Sequence, residues 1–249
     1  MKAVIEICVD CLESVQVCAD AGVDRIELCS ALSEGGLTPS HGFLRTARKI
    51  FPGKVMMMIR PRSGDFLYSD EEMEIMKDDI RCAANLGADG VVFGCLNTTG
   101  VIDREKTMKL LDVSQQLDVT FHRAFDVTRD LVSSLETLIG LGIPRVLTSG
   151  GEADVWQGLP RLRDLNEQAA GRIVVLPGGG VTARRINELI EATGVKECHL
   201  SARHSVPSPM MFQRDDIAMG SSRTTPESIR QVTDPAQLHM LLSSLSQHS

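Results

Sequence analysis

Aromatic residues are scarce: one Trp, one Tyr and seven Phe in 249 residues. A base- or sugar-stacking platform needs several accessible rings, so that class of binding surface is disfavoured. Basic runs are missing as well, and the net charge is −7. Nucleic acid and anionic membrane both require clustered Lys and Arg, so neither is an expected partner. No apolar run approaches the roughly 20 residues of a membrane span, and the N-terminus enters a strand pattern with no secretory signal. Linkers, low-complexity tracts and composition breaks are absent too. Cysteine is not scarce, but the seven present are an odd number spread through periodic segments. They read as reduced thiols rather than a disulfide framework, and the expected location is cytoplasmic, or nuclear in a eukaryotic cell.

What is present is a regular alternation. Short β-rich apolar runs fall at 3–8, 25–29, 54–60, 89–94, 117–122, 144–148, 172–177 and 196–201. Helical patterns lie between them near 11–21, 40–50, 70–86, 103–115, 129–140, 154–169 and 182–193. Asp10 with Glu13 and Ser69 with Glu72 fit capping boxes, and Gly22, Gly87, Gly142 and Gly194 fit helix C-termini. Eight strands in alternation with helices predict a single (β/α)8 TIM barrel over 1–202. A doubly wound sheet would need fewer strands or a second domain. Residues 203–249, with Pro207, Pro209 and Pro226, are expected to form an irregular segment and then a helix near 234–246. Both would pack on the same domain.

In such barrels the strand C-termini carry the functional groups. Ile5-Glu6-Ile7-Cys8 recurs as Ile26-Glu27-Leu28-Cys29 one strand–helix unit later. Side chains alternate along a strand, so Glu6, Cys8, Glu27 and Cys29 are predicted to face inward, with the two cysteines level on neighbouring strands. Two thiolates so placed suit a soft ion such as Cu(I). Packing as small hydrophobes and a transient disulfide are the rival readings. Glu6 and Glu27 read equally as members of a buried ion-pair network with Arg60 or Arg25. Met56-Met57-Met58 lies in a strand body and reads as core.

Further round the rim, His122, Glu27, Asp65, Asp126 and His199 are candidates for acid–base work. Arg60, Arg123, Ser149, Gly150, Gly178, Gly179, Gly180 and Ser201 are candidates for holding an anion, the glycines by letting backbone N–H groups approach it. No Lys ends a strand, which disfavours Schiff-base chemistry.

With these motifs the chain resembles the CutC family, named for copper homeostasis. The carrying segments are the two Glu-Xaa-Cys strand ends, Glu34-Gly35-Gly36-Leu37-Thr38-Pro39-Ser40, the loop from Arg60 to Phe66, Val119 through Asp126, Arg145 through Gly150, and Pro177 through Gly180. The resemblance implies a TIM-type barrel, a cytosolic homo-oligomer (dimer or tetramer) and Cu(I) as bound ion, with Cys8 and Cys29 as its ligands. Ser63 departs from the family's loop, where a second Gly is expected. Two functions follow: a Cu(I)-binding protein of copper homeostasis, or an enzyme acting on a small phosphorylated or carboxylated metabolite. The second accounts for the Arg and His residues that a metal carrier does not need.

Overall fold

A computed structural model describes residues 3–214, 216–217 and 226–246. Eight parallel strands carry the fold: β1 (Val4–Val9), β2 (Arg25–Leu28), β3 (Lys54–Met58), β4 (Gly90–Phe93), β5 (Asp118–Phe121), β6 (Arg145–Thr148), β7 (Val174–Pro177) and β8 (Glu197–Leu200). They hydrogen-bond in ring order from β7 back through β1 to β8, and β7 lies alongside β8, so the sheet curls into a nearly closed barrel. Seven helices fill the crossovers: α1 (Leu12–Ala21), α2 (His41–Ile50), α3 (Asp70–Asn85), α4 (Arg104–Val113), α5 (Leu131–Gly140), α6 (Leu159–Ala169) and α7 (Ile186–Thr193). The chain therefore folds as the α/β TIM barrel that its alternation predicts. Among the described residues no helix is long and apolar enough to cross a membrane.

Parity divides the strands as expected. Ile5, Ile7, Val9, Ile26 and Leu28 join the main core beneath the helices, while Cys29, Met56, Met58 and Val92 cluster separately. Register is where the expectation fails. Cys8 pairs with Glu27, and Glu6 pairs with Arg25 on one side and His199 on the other. Closing a barrel tilts and staggers its strands, so equivalent motif positions on successive strands are not level. Cys29 stands two residues beyond the level of Cys8, its N–H donating to Val9 O at 2.9 Å.

The two predicted capping boxes also part company. Ser69 and Glu72 form theirs reciprocally. At α1 the N-cap is Cys11, without a side-chain cap. Asp10 accepts from Leu32 N–H instead, and Glu13 pairs with Arg230 at 3.0 Å. Ser69→Ala should cost about 1 kcal/mol of stability, read as a lower thermal midpoint; Glu13→Ala should cost less, because its ion pair is exposed.

The segment expected to be irregular contains a hairpin. Strand β9 (Arg203–Pro207) pairs antiparallel with β10 (Ile229–Thr233), and helix α8 (Pro235–Ser246) then packs against α1 and α7. Thr233 N–H donates to the buried Ser14 hydroxyl at 2.9 Å, fastening this end to α1.

Candidate functional site

The rim residues open onto a cavity of about 480 Å³. Its floor is an ion chain inside the barrel. Arg25 Nε donates to Glu6 and Arg25 Nη2 to Glu197, each at 2.5 Å, and Arg145 reaches Glu197 at 2.8 Å and Asp118 at 3.1 Å. Of the two predicted partners for the glutamates, Arg25 serves Glu6 and Arg60 serves neither. Buried carboxylates persist as ions only when so paired. Burial pushes the Glu6 carboxyl up, but the His199 hydrogen bond and Arg25 outweigh it and hold it near 2.

Above that floor stand Cys8, Glu27 and His199, all buried, with one ligand atom from each lying within 4.8 Å of the others. His199 Nδ1 contacts Glu6 Oε1 at 2.7 Å, and Nε2 lies 3.8 Å from Glu27. Because ionised Glu6 can only accept, Nδ1 carries the proton and the ring is fixed with Nε2 toward Glu27. Burial pushes His199 down, but Cys8 and Glu27 outweigh it and hold the imidazole well above its ordinary range. Burial pushes Glu27 up, with the Glu6 charge adding to it against His199. Glu27 Oε1 has no hydrogen-bond partner.

Cys29 is fully buried and donates its thiol to Glu27 Oε2 at 3.3 Å. Burial, reinforced by the Glu27 charge, pushes that thiol well up. A Cβ at Gly36, where φ is +88°, would approach its sulfur to 3.1 Å, so the Gly35-Gly36 turn closes directly over it. Cys95, Cys18 and Cys198 are buried thiols pushed up to about 12 mainly by burial. Met56 and Met57 are core, whereas Met58 also lines the cavity.

Of the other predicted residues, Arg60, His122, Arg123, Gly179, Gly180 and Ser201 line the cavity. Asp65 is exposed and paired with Arg62 at 3.0 Å, outside the cavity lining. Asp126 and Ser149 turn out to bind each other, and Gly150 is bound by Thr148. The Asp126 carboxylate accepts from Ser149 N–H, Gly151 N–H and the Thr148 hydroxyl, and Gly150 N–H is taken by Thr148 Oγ1. Arg123 Nε adds a donor to Asp126 at 2.7 Å. The anion expected at the sixth βα-loop is thus a side chain of the protein. Sequence reasoning missed Glu34, Phe66 and Arg203 in the lining. Phe66 had a signal, as the last residue of the strand-3 loop; Arg203 follows a turn at Ala202 (φ +45°) that nothing in the sequence announces.

Residues 3–204 match the sequence profile of the CutC family. The human copper homeostasis protein cutC homolog is 50% identical over 237 residues, spanning 95% of this chain and 87% of that protein. A CutC family protein of Bacteroides thetaiotaomicron is 45% identical over 93% of this chain and 94% of its own. The crystal structure of CutC from Streptococcus agalactiae superposes with a TM-score of 0.77 at 36% identity, covering 80% of this chain and 98% of that one.

Proposed function

The chain belongs to the CutC family, and on that premise we propose that it serves copper homeostasis by binding Cu(I) at the barrel mouth. The ligands in this reading are the Cys8 thiolate and His199 Nε2, with the Glu27 carboxylate beside them. The observation that carries it is the convergence of three buried ligand atoms of this chemistry within 4.8 Å, one flanked by a carboxylate oxygen without a partner. A thiolate with an imidazole suits a soft ion. Glu6 orienting the far nitrogen of His199 is the outer-shell support that metal-bound histidines commonly have. Cys29 takes a supporting role rather than the equal one expected from the repeat: its thiol is a donor to Glu27, and releasing that proton is opposed by burial and by charge. All seven cysteines are free, which fits a reducing cytosol.

An anaerobic Cu(I) competition titration against a strong chelator tests this. Wild type should bind one equivalent. Cys8→Ser and His199→Ala should each weaken binding by about 100-fold or more, and Cys29→Ser by about tenfold or less. Affinity should fall with pH, since protons compete for the thiolate and imidazole. Binding indifferent to Cys8 would remove the copper reading. Equal losses in Cys8→Ser and Cys29→Ser, with His199→Ala unaffected, would restore the two-thiolate pair.

A further inference from the structure

Copper accounts for one arc of the cavity and leaves the arc from β3 and β5 without a role. Arg60, 6% exposed, spends its donors on backbone carbonyls: Nη1 on Glu34 O and Gly36 O at 2.7 and 3.2 Å, Nη2 on Gly64 O at 2.9 Å. Its Nε makes no hydrogen bond of ordinary geometry, and the neutral Tyr68 hydroxyl, itself without one, is the side chain that interacts with the guanidinium. No ion pair to Arg60 occurs among the described residues, whereas Arg25 and Arg145, buried to a similar degree, are both matched by carboxylates. A buried guanidinium without a counter-ion is costly, and here it borders a cavity large enough to admit one.

His122, 3% exposed, stands near it. Its Nδ1 accepts Ala124 N–H at 3.2 Å, so Nε2 bears the proton, and Nε2 too has no partner. Phe66 holds the two together, its ring 4.9 Å from the imidazole and 5.1 Å from the Arg60 guanidinium carbon. Burial, with the Arg60 charge adding to it, pushes His122 down to about 3, so the ring is a neutral N–H donor across the ordinary pH range. The third buried polar atom without a partner in the cavity lining is the acceptor Glu27 Oε1.

We propose that the cavity binds a small organic carboxylate bearing a hydroxyl group, with the carboxylate on Arg60 and His122 and the hydroxyl donating to Glu27. A single negative charge balances the buried Arg60, while a phosphate dianion adds surplus charge beside Glu27 and Glu34; Arg203, which also lines the cavity and forms no ion pair among the described residues, is only half-buried and leaves its charge to solvent. The cavity volume of about 480 Å³ falls in the range of small-molecule sites and exceeds what a single cation requires. The site shares Glu27 with the copper reading and is otherwise independent of it.

The test uses metal-stripped protein with chelator present, so success or failure of the copper site does not enter. The probes are L-lactate, its neutral isostere L-lactamide, and inorganic phosphate, followed through the histidine ring signals by NMR. Lactate should shift the His122 signals saturably, and lactamide should bind at least about tenfold more weakly, since it forfeits the charge-assisted bonds. Arg60→Met should abolish lactate binding. Because Arg60 also ties three loop carbonyls, His122→Phe is the second variant: it keeps a ring against Phe66, removes the donor and should weaken lactate about tenfold. Equal affinity for lactate and lactamide, phosphate binding tighter than lactate, or no saturable shift with lactate would each overturn the proposal.

Discussion

Arg25→Met is expected to lower the unfolding free energy by about 3–5 kcal/mol at neutral pH, read from the urea midpoint. Arg25 is 3% exposed and joins Glu6 on β1 to Glu197 on β8 from its own place on β2. The loss falls mainly on Glu6, because Glu197 keeps Arg145 at 2.8 Å. Glu6 keeps His199, but a fully buried carboxylate then faces a methionine where a guanidinium stood. The acid limb gives a second readout. In the native protein burial raises Glu6, and His199 and Arg25 outweigh it, so its folded value of about 2 lies below the unconstrained 4.5. A depressed carboxylate contributes stability that is fully present above about 4.5 and lost as pH falls toward about 2. Removing Arg25 raises the folded value, so the variant should begin to lose stability at a higher pH than wild type. Parallel pH curves offset by less than about 1 kcal/mol would mean that Arg25 does not hold Glu6.

The same floor shows what was legible beforehand. Strand parity alone sent Glu6, Cys8, Glu27 and His199 inward, because a period of two is a local property of the backbone. Register is not local: it follows from the stagger that closes all eight strands. Two copies of one motif therefore came to rest with Cys8 level with Glu27, and the thiol pair read from the repeat became a Cys–Glu–His group. The two inward histidines make the same point electrostatically. Both end strands and both are buried, yet His199 is held well above its ordinary range, and His122 is pushed down to about 3. For each, burial lowers the value. What separates them is the company: Cys8, Glu27 and Glu6 around one, Arg60 beside the other. Those neighbours come from distant strands and loops, so no window of sequence around either histidine contains the answer.

Asp126 carries the second large effect, because the loop after β6 gives its donors to this side chain. Its carboxylate, nearly buried, takes donors from Thr148, Ser149, Gly151 and Arg123 at 2.5–3.0 Å. This is what a glycine-bearing βα-loop offers an anion, supplied here from the 3₁₀ turn after β5. Asp126→Gly should therefore cost about 3–5 kcal/mol, since it leaves several donors and one guanidinium without their acceptor. It should also leave a vacancy shaped for a carboxylate. Acetate is the Asp side chain with a hydrogen in place of the backbone bond, so added acetate should raise the thermal midpoint of Asp126→Gly in a saturable way. Wild type should not respond, and chloride at the same ionic strength should rescue neither. If acetate shifts both proteins equally, it acts as a general salt and the cradle is not an anion site. Selective rescue means that the sixth loop binds an oxyanion, and that the protein fills the position with its own carboxylate. Recognition of any external anion then falls to the cavity's guanidinium groups that lack an ion pair among the described residues, the buried Arg60 and the half-buried Arg203.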